Sequence, residues 1–479
     1  MSHQRMSILV GFVACLIGSN AHAHFGETYG FGARASAMAG TGATTSSGFA
    51  SLYYNVAGMT RGKTGMSFGL HAGIDDVSIR LKPVPAGYDI PDQGADSPLI
   101  PTDMRLRTRS DLTDLPNQVQ ALIGGTFSLG VDGLRFGFAL MTPIDGLGAQ
   151  QARFADEREQ YFSNKLDFEL IGKRSNHLTI LGGVAYQVLP WLSVGAGLSL
   201  FPNATTTSGV YLPDPSQQDV LDMSVTNDQG VTLGFNAGLL VEPTDKLRFG
   251  LSFRGENYFR LQVNNQIQIK GFQNDPSSFP VSQQVLVVVN YVPDTLTASA
   301  AWNVGSWMIS SDVSWARWSG YLNHQGEQQR GFNDTISASL GVEYKSERSV
   351  VRAGVAWIPS PIPDQTGRTS YVDNDRVRVS IGAGHPLEVL GRQLELSWHL
   401  GMTQLIARDT DKAVQSPWPS CVPGVTTVCD EVADDTPDPV TGTPDPRFAG
   451  LQTGNPGFPG WQSFGRLLSF GIDLKWRFK

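Results

Sequence analysis

The sequence predicts an all-β protein: a transmembrane, antiparallel β-barrel of about fourteen strands. Three observations carry that expectation. The last strand-length segment alternates, with Leu468, Phe470, Ile472, Leu474, Trp476 and Phe478 apolar and Ser469, Gly471, Asp473, Lys475 and Arg477 small or charged. A period of two is a β-strand with one oily and one wet face. The same pattern recurs along the chain. Finally, the sequence opens with a secretory leader, yet no later stretch approaches the twenty or so apolar residues of a spanning helix.

The leader places Arg5 before an apolar run, Met6 to Gly18, and ends in Ala21-His22-Ala23, a small-residue cleavage site. Residues 1–23 are therefore expected to be a signal peptide for Sec-dependent export, with His24 as the mature start. Cys15 lies within the apolar run, but the regions before it are too short for a lipoprotein signal. Its removal leaves Cys421 and Cys429, a number that suits one bridge in an oxidising compartment.

Strand-like alternation begins at Met66–Ile74 and continues through 117–130, 134–142, 177–188, 192–200, 231–241 and 247–254. It resumes at 285–303, 306–321, 336–345, 350–357, 376–383, 394–403 and 467–478. Arg248, Arg254, Asp312, Glu343, Arg352, Arg378, Glu395, Asp473 and Lys475 fall on the minority face, which suits a hydrated lumen and not lipid. A soluble β-sandwich would reverse the two faces, and alternation alone does not separate them. Connections do. Short turns at 131–133, 189–190 and 243–245 alternate with long polar links near 76–116, 145–175, 203–230 and 404–462, the pattern of outer-membrane barrels.

Composition narrows the function. Hydrophobic residues make up 41% and charged residues 17%, and the 53 glycines fall inside strand-like runs such as Gly195-Ala196-Gly197, where close packing or curvature is expected. A net charge of −8 argues against nucleic acid, since no basic patch exists to neutralise phosphates. Residues 408–460 hold nine prolines and eight acidic against three basic residues, the composition of an irregular, solvated extracellular loop. A calcium or partner site is the alternative for that loop. His71, His177 and His399 have lumen-facing parity without a nucleophile motif, so no catalytic site is expected. Two cysteines without a nearby histidine make no zinc site, and neither metal nor cofactor is expected.

Three segments, the run 32–40, Asn55-Val56-Ala57-Gly58-Met59 and the stretch 352–376, together resemble the FadL/TodX family of outer-membrane transporters for hydrophobic compounds. The run 32–40, containing Gly32 and Arg34, is similar to the family's glycine-rich amino-terminal signature. Asn55-Val56-Ala57-Gly58-Met59 resembles its hatch motif, with Val56 where the family usually has proline. Residues 352–357, 360–364 and 373–376 follow its pattern near the eleventh and twelfth strands. The resemblance implies a hatch, residues 24–62, plugging a barrel of residues 63–479. It implies a monomer that captures a hydrophobic small molecule among its loops, holds it above the hatch, and releases it sideways into outer-membrane lipid. Pro143 aligns near the family's third-strand opening; it marks either that window or the end of the strand. The pocket candidates are Phe25, Phe201, Trp318 and His324. Where fatty-acid transporters carry basic pocket residues, this chain has Phe201-Pro202-Asn203 and Asn323-His324-Gln325, so a neutral hydrocarbon or aromatic stands beside a fatty acid. A general diffusion porin or a structural barrel would need an unblocked lumen. Cys421 and Cys429 are expected to form a disulfide within the long loop.

Overall fold

The computed structural model describes residues 25–82, 112–113, 118–128, 130–144, 166–168, 171, 178–202, 204–210, 221–269, 281–323, 326–366, 369–389, 392–413, 457 and 459–478. The leader 1–23, His24, His177, His324, Cys421 and Cys429 lie outside the described residues. Among the described residues no helix is long and apolar enough to cross a membrane.

Apart from two-residue pieces at Leu112–Thr113, Asp167–Phe168 and Tyr371–Val372, the strands in chain order are β1 (Gly65–Leu81), β2 (Gln118–Phe127), β3 (Leu134–Pro143), β4 (Thr179–Leu189), β5 (Leu192–Phe201) and β6 (Ala204–Val210). They continue with β7 (Leu221–Gln229), β8 (Thr232–Val241), β9 (Leu247–Arg254), β10 (Asn257–Ile269), β11 (Val281–Val292) and β12 (Thr295–Val304). The last six are β13 (Trp307–Ala316), β14 (Thr335–Lys345), β15 (Val350–Ile358), β16 (Arg376–Val389), β17 (Arg392–Asp411) and β18 (Gly460–Arg477). Fourteen of them, β1–β5, β8, β9 and β12–β18, form one antiparallel ring. The ring closes because β1 pairs with β18 on one side and β2 on the other. Closure leaves no open edge, the condition for a sheet to stand in lipid.

Parity sorts the side chains as the alternation predicts. Phe470, Ile472 and Leu474 are exposed on the outer surface, while Asp473 between them is buried inside. Phe68 and Leu70 face out and His71 faces in; Val351 and Val355 face out and Arg352 faces in. Outward apolar and inward polar is the reverse of a soluble sandwich, and it requires lipid outside.

Three readings need correction. Residues 203–230 are not simply a link: β6 and β7 lie within them and pair with each other. With β10 and β11 they form a four-stranded sheet continuing beyond the ring at its long-loop end. The segment 285–303 is two strands, parted at Pro293, which has no N–H to give a ladder. Residues 306–321 likewise stop being strand at Ala316, and Trp318–Gly320 form a 3-10 turn. At the seam, β1, β17 and β18 run 17, 20 and 18 residues, well past the nine to eleven or so that cross a bilayer.

Inside the ring lies the amino-terminal segment. It comprises α1 (Phe25–Tyr29), α2 (Ala33–Ala37), α3 (Ser51–Tyr54), and 3-10 turns at Gly48–Ala50 and Val56–Arg61. Such short helices are not stable alone, so the wall must hold them. Glycines on the inner wall permit the approach. A Cβ at Gly195 would overlap Ala57, one at Gly238 would overlap Asn55 Oδ1, and one at Gly354 would overlap Met38.

Candidate functional site

Polar wall side chains hold the amino-terminal segment. Asn55 caps the Val56–Arg61 turn by accepting from Ala57 N at 3.1 Å. Its Nδ2 donates to Ala43 O at 2.9 Å and across to Leu239 O of β8 at 3.0 Å. Val56 is the first residue of that turn, where proline's fixed φ is suitable but not required. Its methyls fill the space above Gly183 and Gly197. Ala57, Gly58 and Met59 are buried beside it, and Gly58 must be glycine-sized because a Cβ would meet Ser46 O at 2.8 Å.

Gly32 (φ 76°) turns the chain into α2, leaving Ala33 N free to donate to Asp473 Oδ2 at 2.5 Å. A side chain at that φ would be strained. The other oxygen of Asp473 contacts His71 Nε2 at 2.9 Å, so His71 orients a structural carboxylate. His399 packs 5.5 Å from the His71 ring. Arg34 meets Glu343 with two nitrogens, at 3.0 and 3.2 Å, and donates to Thr45 O at 2.6 Å. Arg352 reaches the same carboxylate at 2.8 Å. Asp312 accepts from Gly42 N and Ala43 N at 2.9 and 3.0 Å, and Arg378 donates to Thr28 O at 2.6 Å. Paired and hydrogen-bonded, these buried charges avoid the several-kcal/mol penalty of isolated ions.

Above the segment, toward the long loops, lies a cavity of about 210 Å³. Tyr53, Tyr54 and Glu27 form its floor, with Arg254, Arg376 and Arg378 on the wall and Tyr291 and Trp318 toward the mouth. Burial pushes the Tyr53 phenol up and that of Tyr54 to about 12, so both are uncharged at neutral pH. Each arginine is already engaged. Arg254 pairs with Glu27 at 2.5 Å and lies 4.6 Å over the Tyr53 ring; Arg376 lies 3.8 Å from Asp373. Burial raises the Asp373 carboxyl, against the opposing charge of Arg376. At the mouth, Tyr291, Trp318, Tyr321, Phe332 and Ile362 form an apolar cluster, with Tyr321 stacked on Phe332 at 4.0 Å.

A second cavity, about 660 Å³, lies beneath the segment at the short-turn end. Arg34, Glu343, Arg352, Glu395, Asp473 and Lys475 line it, a hydrated vestibule by composition. Among the described residues no group of His, Cys, Asp or Glu is disposed to hold a metal.

Of the pocket candidates, Trp318 borders the upper cavity and Phe201 a small cavity beside it. Phe25 does not border it; its ring packs 4.7 Å from Tyr29 in the core. Pro143 is the last residue of β3. It pairs with Gln120 of β2, whereas the β3–β4 ladder ends at Met141–Thr179. Arg376 and Tyr291 were not singled out from sequence, although Arg376 closes one of the quoted motifs. Tyr291 follows an apolar run that reads as wall.

Comparison with known proteins agrees with this architecture. The family model described as outer membrane protein transport protein (OMPP1/FadL/TodX) matches residues 19–415. The long-chain fatty acid transport protein of Escherichia coli K12 is 25% identical over 167 residues, covering 31% of this chain and 37% of that protein. Its Salmonella typhi counterpart is 27% identical over 170 residues, covering 31% and 38%. The chain thus spans well under half the length of these curated relatives. A Pseudomonas aeruginosa FadL homologue matches the fold with a TM-score of 0.60 at 14% identity, covering 93% of this chain and 98% of that one. The Pseudomonas putida toluene transporter TodX gives 0.51 at 14% identity, covering 94% and 99%. On the ring of fourteen strands, the inward amino-terminal segment and the match over residues 19–415, the chain belongs to the outer membrane protein transport protein (OMPP1/FadL/TodX) family.

Proposed function

We propose that this outer-membrane barrel carries a hydrophobic small molecule from the outer surface into the membrane. The observation that carries the reading is the cavity of about 210 Å³ between a docked amino-terminal segment and an aromatic mouth. Its size exceeds the roughly 150 Å³ that accommodates benzene in an engineered protein cavity. Burial favours an oily guest by about 25 cal/mol per Å² removed from water. Because Glu27, Thr28 O and Asp373 already face the three arginines, a neutral hydrocarbon or aromatic fits better than a carboxylate. Fatty acids remain within the family's range.

In this reading residues 1–23 direct Sec-dependent export and are removed. Residues 24–62 are the hatch, residues 63–479 the barrel, and the protein works as a monomer. Lateral release fits a lumen closed below the cavity. Pro143, at the long-loop end of β3 and beyond its ladder to β4, offers one outlet. A diffusion porin or structural barrel leaves the hatch without purpose, and nothing favours an enzyme. Cys421 and Cys429 form a disulfide in the acidic loop; two alkylatable thiols in the unreduced, denatured protein would contradict it.

Transport is tested by binding and uptake together. Purified protein should bind toluene and an alkane, read by Trp318-dependent fluorescence quenching, more tightly than a fatty acid. Cells lacking the protein should accumulate the bound compound more slowly. If deletion leaves uptake of every fatty acid, alkane and aromatic unchanged, with no redundant transporter present, the reading is wrong.

A further inference from the structure

The ladder between β8 and β9 is the shortest in the ring, running only from Asn236–Arg254 to Val241–Phe249. One backbone bond extends it, Gly255 N to Phe235 O at 2.8 Å. Pairing between the continuations of these strands resumes only where Gly230 N donates to Arg260 O at 3.2 Å. Between those bonds, residues 231–234 and 256–259 face each other without a backbone hydrogen bond among the described residues. Each side keeps its other neighbour: β8 pairs with β5 as far as Thr232–Phe201, and β10 with β11 from Asn257–Val292. The β10–β11 register shifts there, between Asn257 and Phe259. Bulges are over-represented at sheet edges, at barrel rims and beside functional sites.

Three further features coincide with the gap. Val231, Leu233 and Phe235, exposed to 58%, 61% and 51%, set an apolar outer face beside the gap. Inside it lies a cavity of about 30 Å³, bordered by Phe201, Gly255 and Asn257. That cavity shares Glu27, Tyr53, Asn236, Arg254 and Val292 with the larger one. The third feature is the Asn257 side chain, which lies across Gly234, where a Cβ would meet its Nδ2 at 2.9 Å. Nδ2 donates to Ser199 Oγ at 3.3 Å, and Oδ1 is buried with no partner among the described residues. An unpaired backbone in a bilayer costs several kcal/mol per group.

We propose that the gap between β8 and the β9–β10 junction is a side outlet of the cavity, gated by the Asn257 side chain, through which a hydrophobic ligand passes into the apolar belt at Leu233 and Phe235. This rests on the transport reading above and adds to it an outlet distinct from Pro143. At about 30 Å³ the passage is shut. Opening begins when Asn257 swings from Ser199, breaking one side-chain hydrogen bond, and the lining around Phe201 and Gly255 must then part to admit a ligand.

The test uses the full-length protein in cells, with assembly monitored by heat-modifiable migration. Asn257→Trp fills the passage and should reduce uptake of the transported hydrocarbon to the level of the deletion strain. Asn257→Ala should keep or raise it. A second arm avoids reliance on a folded tryptophan variant. An alkyl diazirine probe, photolysed during uptake, should label residues 231–235 and 253–257 in the native protein and lose that labelling when excess toluene competes. Labelling confined to the neighbourhood of Pro143, or full uptake by assembled Asn257→Trp, overturns the outlet while leaving transport intact. Uptake unaffected even by gene deletion instead overturns the transport reading.

Discussion

Asn55 shows how one side chain joins segment to wall. It satisfies Ala57 N, Ala43 O and Leu239 O together, and Gly238 leaves room for it. Alanine there would leave a buried N–H and two carbonyls without partners, at a cost of roughly 2–5 kcal/mol. Asn55→Ala should leave the ring assembled but loosen the segment, read as new proteolytic cuts between residues 25 and 62 and as bursts of conductance in planar bilayers. An unchanged digest would mean that the remaining wall bonds suffice. Glu343 is the comparable ionic point, since two guanidinium groups converge on it. Glu343→Ala strands Arg34 and Arg352 as buried or half-buried charges, the situation that costs most when an ion pair is broken. Its conductance should rise above that of Asn55→Ala, and a quiet trace would show that the ion pair is not what restrains the segment.

At the scale of the element, the amino-terminal segment is a chain of short turns held by its surroundings. Its tyrosines report that hold. Burial raises Tyr29 and Tyr53 well above the ordinary phenol range and Tyr54 to about 12. A phenol with a raised folded pKa contributes stability that is complete below the unfolded value near 10 and is lost as pH rises through the folded value. Phenolate absorbance should therefore show a late-titrating class, and segment release, followed as conductance, should accompany it above about pH 10. Ordinary titration of all tyrosines with a closed lumen throughout would contradict the coupling. Deleting residues 24–62 should give the same conductance at neutral pH, separating removal of the segment from any alkaline effect on the strands. The gap between β8 and β9 belongs to this scale too. Neither strand carries a proline there, so nothing in its local sequence marks where the ladder stops; the interruption arises from how two neighbours diverge into the outer sheet.

For the whole molecule, what was legible in the sequence is what repeats. The fourteen ring strands carry a period-two signal because lipid and lumen impose opposite demands on alternate residues, and Asp473 between Ile472 and Leu474 is decided by that alone. The hatch was legible only through its likeness to a family, since Gly32 sets up a contact with Asp473, Arg34 meets Glu343 and Asn55 reaches Leu239, all on wall strands far along the chain. The cavity was less so: Phe25 is aromatic like a lining residue yet sits in the core, while Arg376 lines the wall from the end of a loop. Site geometry depends on which strands curve together, and parity does not record it. The same parity permits a test of the entire arrangement. Ile472 lies on the lipid face between Leu70 of β1 and Trp398 of β17, near the middle of the ring wall. Ser337 points into the lumen, bordering the upper cavity. Arginine at a lipid-facing midplane position costs about 2–4 kcal/mol, whereas lumenal positions meet water and tolerate charge. Ile472→Arg should therefore lower the denaturant midpoint of the assembled barrel in lipid, and Ser337→Arg should leave that midpoint unchanged while altering ligand binding in the cavity. Equal destabilisation by both, or loss confined to Ser337→Arg, would mean that the inner and outer faces have been assigned the wrong way round.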